Sequence, residues 1–314
     1  MQRTGRQPIA SSPAPTADVL GHLEESVRSQ WRRYRKRLRR CQDRFSEEAV
    51  HDARVETRRL LATLELLRAF LPEKDLKRTL RSLKVHLDTF DKLRDTQVQL
   101  AYVRRFRRAF PLARSFAKWL SRREARFTRS TRRDVRRIKT RRLALRIRDI
   151  EKDVRRLRRA TPGARAYATA LAGIGQAFDR VARCCRRVSA ADTTTIHRVR
   201  IAFKRFRYMI EAIHPLLPRV TDEHRRAMHG YQSMMGDIQD VEVLLAALAK
   251  FNRNEAIDGR SVRPLREELL RRRRWLIEVY LNGAGKLRQF WPPGDLRRRA
   301  GGRRARARHA HRPA

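Results

Sequence analysis

The sequence predicts an all-α protein made of two homologous helical halves. Three observations carry this reading: apolar residues recur at intervals of three and four, the 12 prolines and 13 glycines fall mostly at the ends and in a few joints, and one basic helical pattern occurs twice, 146 residues apart. No segment alternates apolar and polar residues long enough to ask for a strand.

Taken in order, the periodicity predicts helices over 18–44, 46–71, 73–106, 111–140, 141–160, 164–188, 194–217, 222–252 and 262–291. Ser46 followed by Glu47 and Glu48 supplies an N-cap with acid in the first turn, and Leu71-Pro72 and Leu217-Pro218 close two helices. The stretch from Arg122 to Arg159 holds 18 Lys or Arg against five acids, yet Ile138, Leu143, Leu145, Ile147, Ile150, Val154 and Leu157 keep it amphipathic. Beyond Trp291-Pro292-Pro293 the periodicity is lost, and Gly294 to Ala314 carries eight arginines and one acid. The expected organisation is a disordered segment over 1–17, a first helical half over 18–160, a second over 161–292, and a disordered, electrostatically sticky Arg-rich tail over 293–314.

Charge narrows the function. The 314 residues contain 78 Lys plus Arg and 33 Asp plus Glu, a formal charge of +45, with 41% apolar residues. Self-repulsion of this size opposes compaction, so the protein is expected to work against a polyanion: nucleic acid, an anionic membrane face or inorganic polyphosphate. The apolar fraction and its regular spacing exclude a wholly disordered basic arm. Cys41, Cys184 and Cys185 are odd in number and lack a C-x-x-C spacing, which excludes a disulfide framework and a zinc knuckle and favours a reducing compartment. The polar start of the chain lacks the apolar run of a signal peptide, and no stretch reaches the ~18 uncharged residues of a membrane span. A soluble cytoplasmic protein is expected, with no membrane partner.

The repeat is specific. Ala49 to Pro72 reads AVHDARVETRRLLATLELLRAFLP and Thr195 to Pro218 reads TIHRVRIAFKRFRYMIEAIHPLLP. Without a gap, His51 meets His197, Arg54 meets Arg200, Arg59 meets Arg205, Glu65 meets Glu211, and Leu71-Pro72 meets Leu217-Pro218, while Arg58 meets Lys204. A shift of 145 aligns LRDTQVQL from Leu93 with IQDVEVLL from Ile238, so Asp95 meets Asp240.

On a helical wheel Val50, Ala53, Leu60, Leu64, Leu67 and Leu71 gather on one side, and His51, Arg54, Arg58 and Arg59 on the other. Ile196, Val199, Phe203, Phe206, Ile210, Ile213 and Leu217 face His197, Arg200, Lys204 and Arg205 in the same way. Duplication is expected to place two cationic faces about a pseudo-two-fold axis, where they could converge on one extended anion. Arg offers a fork of donors that matches phosphate oxygens, Lys a compact charge, and imidazole further N–H groups at short reach. Crowded by cations, each imidazole is expected to be neutral in the empty site and more readily protonated beside a polyanion.

Catalytic signatures are scarce. There is no H-E-x-x-H, no G-x-S-x-G and no dinucleotide fingerprint, and Gly283-Ala284-Gly285-Lys286 lacks the spacing and hydroxyl of a phosphate loop. His224 and His229 are five apart, which does not put both rings on one helix face, and His309 and His311 lie in the tail, so no metal site is expected. Asp95 and Asp240 read as ion-pair partners that hold basic side chains in position. Lys84, with Arg78 and Arg81, lines the same surface or a solvated one. Trp31, Tyr34, Phe203, Phe206 and Tyr208 keep core spacing and read as core side chains rather than stacking platforms.

The A-V-H-x-x-R-V-x-x-R-R-L run from Ala49, its second copy I-H-R-V-R-I-A-F-K-R-F-R-Y from Ile196, and the L-R-D and G-D-I-Q-D elements resemble the CHAD family, the conserved histidine α-helical domain, from about Asp18 to Trp291. The resemblance implies two four-helix bundles around a pseudo-two-fold axis, with a basic central cavity that binds inorganic polyphosphate. It assigns binding to His51, Arg54, Arg58, His197, Arg200 and Lys204, and less directly to Arg59, Arg205 and Arg207, with Lys84 added from the neighbouring surface. One departure stands out: the glycine usual four residues before the aspartate is present as Gly236 but is Asp91 in the first half, and Arg94 is matched by Gln239.

The expected function is non-enzymatic polyphosphate binding by a stand-alone binder with no cofactor, in the cytoplasm and at polyphosphate granules. The alternative is a general nucleic-acid backbone binder, helped by the Arg-rich tail and the Arg122 to Arg159 helices, although no helix-turn-helix, RNA-binding signature or stacking platform accompanies them. An enzyme working through a phosphorylated or metal-bound histidine is a third reading. It lacks the clustered carboxylates that hard cations bridging phosphates require.

Overall fold

The computed structural model describes residues 18–291, all but the side chain of Asp75. Among the described residues there are ten α-helices, where the periodicity predicts nine, two short 3₁₀ turns and, as predicted, no strand. The expectations for 1–17 and 293–314 lie outside the described residues.

Local signals set the helix starts. Helix α1 (Val19–Asp43) is capped by Asp18, whose carboxylate accepts from Gly21 N at 2.8 Å, and it buries Leu23, Val27, Trp31, Tyr34, Leu38 and Cys41 along one stripe. Ser46 caps α2 (Glu47–Leu67) by accepting from Ala49 N at 3.1 Å, with Glu47 and Glu48 in the first turn. After α3 (Glu73–Asp88), α4 (Asp91–Arg104), α5 (Leu112–Arg136), α6 (Arg141–Ala160) and α7 (Gly163–Cys185), Asp192 caps α8 (Thr193–Ile213) through Thr194 N. Thr221 caps α9 (Asp222–Glu255), and α10 (Gly259–Gly283) follows after Ala256, whose φ of 47° makes the left-handed turn between them.

Two predicted helices are shorter than their periodicity. The segment expected as one helix over 73–106 divides into α3 and α4 at Thr89 and Phe90. There the Thr89 hydroxyl donates back to Val85 O at 3.0 Å, and Phe90 N pairs with Leu87 O at 3.2 Å, tightening the turn while the Phe90 ring enters the core. The matching stretch of the second half runs unbroken through α9. The helix expected over 262–291 gives way at Gly283 to the 3₁₀ turn Ala284–Gln289. Leu145, read as core, is 52% exposed, because α6 turns Leu143, Ile147, Ile150 and Val154 inward instead.

One continuous apolar core runs through the molecule. Helix α1 lies against α2 and α6 and touches α7 and α8; α4 lies against α5 and α9; α8 lies against α7, α2 and α9; and α10 covers α9. All thirteen positions named above as the apolar faces of the two repeats are buried. Phe203 and Phe206 are fully enclosed, each side chain worth roughly 1.5–3 kcal/mol relative to exposure. At Gly173 a Cβ would stand 3.0 Å from the Ala69 Cβ, so a side-chain-free position lets α7 close on the segment after α2. The contact of α2 with α8 brings the two copies of the duplicated motif together.

Candidate anion-binding site

Helices α2 and α8 each present His, Arg and a second cation at i, i+3 and i+7, which at 100° per residue fall on one helix face. Of these six, Arg54, Arg58, Arg200 and Lys204 form a mutually interacting group. Burial first, then the charges of Arg58, Arg200 and Arg54, pull the Lys204 ammonium down to about 7, with Asp91 opposing. Burial also pulls the Arg58 guanidinium down; Tyr208 and Asp91 oppose this, and Arg54 and Arg200 add to it. Cations from both copies of the repeat therefore share one partly dehydrated space.

Their polar atoms are incompletely used. Arg58 Nε, Arg200 Nε and His197 Nδ1 are buried without a hydrogen-bond partner. A buried donor left unmatched costs about 1–3 kcal/mol, more on a charged group, and an anion is the ligand that satisfies several at once. The His197 imidazole is held below its ordinary value, by burial and then by Arg200, while Gln239 works the other way. His51, by contrast, is exposed.

Acids border the group. Arg54, only 7% exposed, donates from Nη1 to Asp91 Oδ1 at 2.9 Å. Asp95 on α4 and Asp240 on α9 are both held above the usual carboxylate range, chiefly by burial, with Arg200 and Arg94 opposing; Asp91 raises Asp95 further, and Asp237 and Asp95 raise Asp240. Among the described residues Asp91 forms the salt bridge to Arg54, while Asp95 and Asp240 form none and lie in the field of Arg200 and Arg94. Burial and then Asp91 push the Asp88 carboxyl above its ordinary value, while Lys84, which is exposed on α3, and Arg54 oppose them.

The remaining candidates are engaged elsewhere. Arg59 is exposed and bonds Glu56 at 2.7 Å. Arg205 points to another flank of α8, where it reaches Glu65 on α2 at 2.6 Å and feels Arg68 and Arg180. Arg207 is 8% exposed; it donates to Gln232 at 3.0 Å and Glu211 at 2.5 Å, and lies over the Tyr208 ring at 4.7 Å. Tyr208, read as a core side chain, is half-buried with Lys204 above its ring at 5.9 Å, so it belongs to the wall of the site. Its signal in the sequence was its place four residues after Lys204.

Hollows also lie outside this group. One of about 560 Å³ runs along α1 beside Arg32, Arg35, Arg39 and Arg44, and one of about 330 Å³ lies between α7 and α8 beside Arg180, Arg183, Arg187 and Arg198. Among the described residues no three or more His, Cys, Asp or Glu side chains are grouped to hold a metal ion, and no helix is long and apolar enough to cross a membrane.

The fold is all-helical among the described residues, and two of its basic helices, packed on one another, repeat one motif. The CHAD domain family matches residues 23–249, and the chain belongs to that family. The fold is similar to the crystal structure of the CHAD domain from the plant Ricinus communis, with a TM-score of 0.62 and 18% identity over 89% of this chain and 96% of that one. It is also similar to PptA from Streptomyces chartreusis, with a TM-score of 0.61 and 18% identity over 86% of this chain and 99% of that one. No curated protein sequence matches the chain.

Proposed function

We propose that this protein binds inorganic polyphosphate without chemical conversion, through a basic cavity between α2 and α8. The observation that carries the proposal is the convergence of Arg54, Arg58, Arg200 and Lys204, drawn in matching pairs from two repeat copies, with guanidinium donors left unpartnered. In this reading 18–160 and 161–292 are two bundle halves about a pseudo-two-fold axis, and a phosphate chain lies along the axis. Arg58 and Arg200 bind its oxygens as forks, Lys204 contributes a charge that the ligand itself restores, and His197 adds a short-range donor. His51, Lys84 and Arg59 attract the chain from the rim; Arg205 and Arg207 shape α8 rather than touch the ligand. Family membership supports polyphosphate as the anion. The proposed location, in the cytoplasm and at polyphosphate granules, follows from that ligand.

A second reading, nucleic-acid backbone binding, is favoured by the arginine-lined hollow along α1 and by the basic α5 and α6. Titrating the full chain with long-chain polyphosphate in excess duplex DNA separates the two. A narrow cavity admits only a slim chain, so polyphosphate binding should survive the competitor and fall when Arg58, Arg200 and Lys204 are replaced together. Displacement by DNA, with no effect of the triple replacement, would transfer the function to the outer surface. Recovery of shortened chains or of phosphohistidine after incubation with divalent metal would instead make the protein an enzyme.

A further inference from the structure

The two halves of the site are not equally open. In the second half, Arg200 lies over Gly236, where an added Cβ would stand 3.7 Å from Arg200 Nε, and that Nε has no partner. In the first half the position matching Gly236 is Asp91, whose Oδ1 accepts from Arg54 Nη1 at 2.9 Å. A carboxylate offers two oxygens in a plane, as a phosphate edge does, and forms the same charge-assisted bond to a guanidinium. Asp91 is 49% exposed at its side chain, while Arg54 is 9% exposed, so the carboxylate covers Arg54 from the solvent side. Its charge also opposes the lowering of Lys204 and Arg58.

We propose that Asp91 is a built-in competitor that occupies Arg54 in place of ligand and makes the site directional. This rests on the polyanion reading above. A phosphate chain enters on the α8 side, at Arg200, whose Nε is free, beside Lys204 and His197, with the free Nε of Arg58 on α2 within the same group. It reaches Arg54 only by displacing Asp91, whose negative charge repels it until that exchange is made. A short anion engages the open half alone; a long chain has enough further contacts to complete the exchange. Asp91 thus raises the chain length required for tight binding, and the binder discriminates against short phosphates that bear the same charge per unit length.

The test compares tripolyphosphate with long-chain polyphosphate on the full-length protein and on D91N, which preserves shape and removes charge, and D91G, which restores the residue of the other copy. Removing the competitor should strengthen tripolyphosphate binding about tenfold and long-chain binding much less, so the ratio between the two ligands narrows. In R54A the gain from D91N should vanish. Circular dichroism and melting temperature check that each variant is folded. If folded D91N and D91G bind both ligands as the parent does, or more weakly, Asp91 merely holds Arg54 in place and the proposal is overturned. If the parent protein binds neither ligand, the polyanion reading itself fails, and with it this one.

Discussion

Lys204 on α8 lies in the field of Arg58 on α2, the residue at the matching position of the other repeat copy. Each would be a routine surface cation alone. Burial at the contact of α2 with α8, and then the repulsion among these cations, hold Lys204 at about 7, a state that a polyanion relieves.

Binding should therefore take up protons. With Lys204 near 7 and His197 below its ordinary value in the empty site, a bound polyanion raises both, so affinity is greatest at acid pH and declines as pH rises through 7. Calorimetry in two buffers of different ionisation enthalpy at pH 7.5 should show net proton uptake, reduced in K204M. Identical apparent enthalpies in both buffers would remove Lys204 from the site.

The empty protein carries the opposite linkage. Lys204 is depressed from 10.5 in the unfolded chain to about 7 in the folded one, so between these values the unfolded state binds the extra proton. Its contribution to stability is fully unfavourable below 7 and is relieved as pH rises above it. Urea midpoints should increase from pH 7 to 9 in the parent and rise less steeply in K204M.

Arginines one helix flank apart should behave differently. R200A removes free donors from the site and should weaken polyphosphate binding by about ten- to a hundredfold. R205A breaks the 2.6 Å pair with Glu65, outside the site, and should change stability by about 0.5–1 kcal/mol while leaving affinity nearly unaltered. Equal losses of affinity in the two variants would mean that general charge, not position, governs binding.

Arg207 is expected to act on stability. Its loss leaves Gln232 and Glu211 without their partner at the contact of α8 with α9, and R207A should cost about 2–3 kcal/mol by urea denaturation. A variant of parental stability and lost affinity would return Arg207 to the binding surface.

Ala256 offers a gain. Its φ of 47° is costly for any residue with a Cβ, and Ala256→Gly should stabilise the turn between α9 and α10 by about 1 kcal/mol, read as a higher melting temperature.

Helix order was legible in the sequence because apolar spacing, caps and prolines agree along most of the chain. It failed at Thr89 and Phe90, where apolar spacing continues across the break and only a local hydroxyl bond and the inward turn of a ring end α3. The repeat put Arg54, Arg58, Arg200 and Lys204 on one face each, and the structure brings these four into one interacting group; the repeat also put Arg59 and Arg205 on those faces, and the family resemblance added Arg207 less directly. Periodicity assigns a residue to a flank but does not know where acids such as Glu56, Glu65 and Glu211 stand on other turns and helices. Asp91 shows the converse: its identity broke the repeat in the sequence, and only the structure places its carboxylate on Arg54.

The central claim is that α2 and α8 grip one phosphate chain together. Isothermal titration of the full-length protein with a phosphate chain of defined length, repeated with R58Q and with K204Q, tests it most directly. The account predicts one site per protein, weakened by either substitution and weakened further by both with a coupling between them, since the two residues share a ligand. Two independent sites, each sensitive to only one substitution, or binding untouched by both, would contradict it.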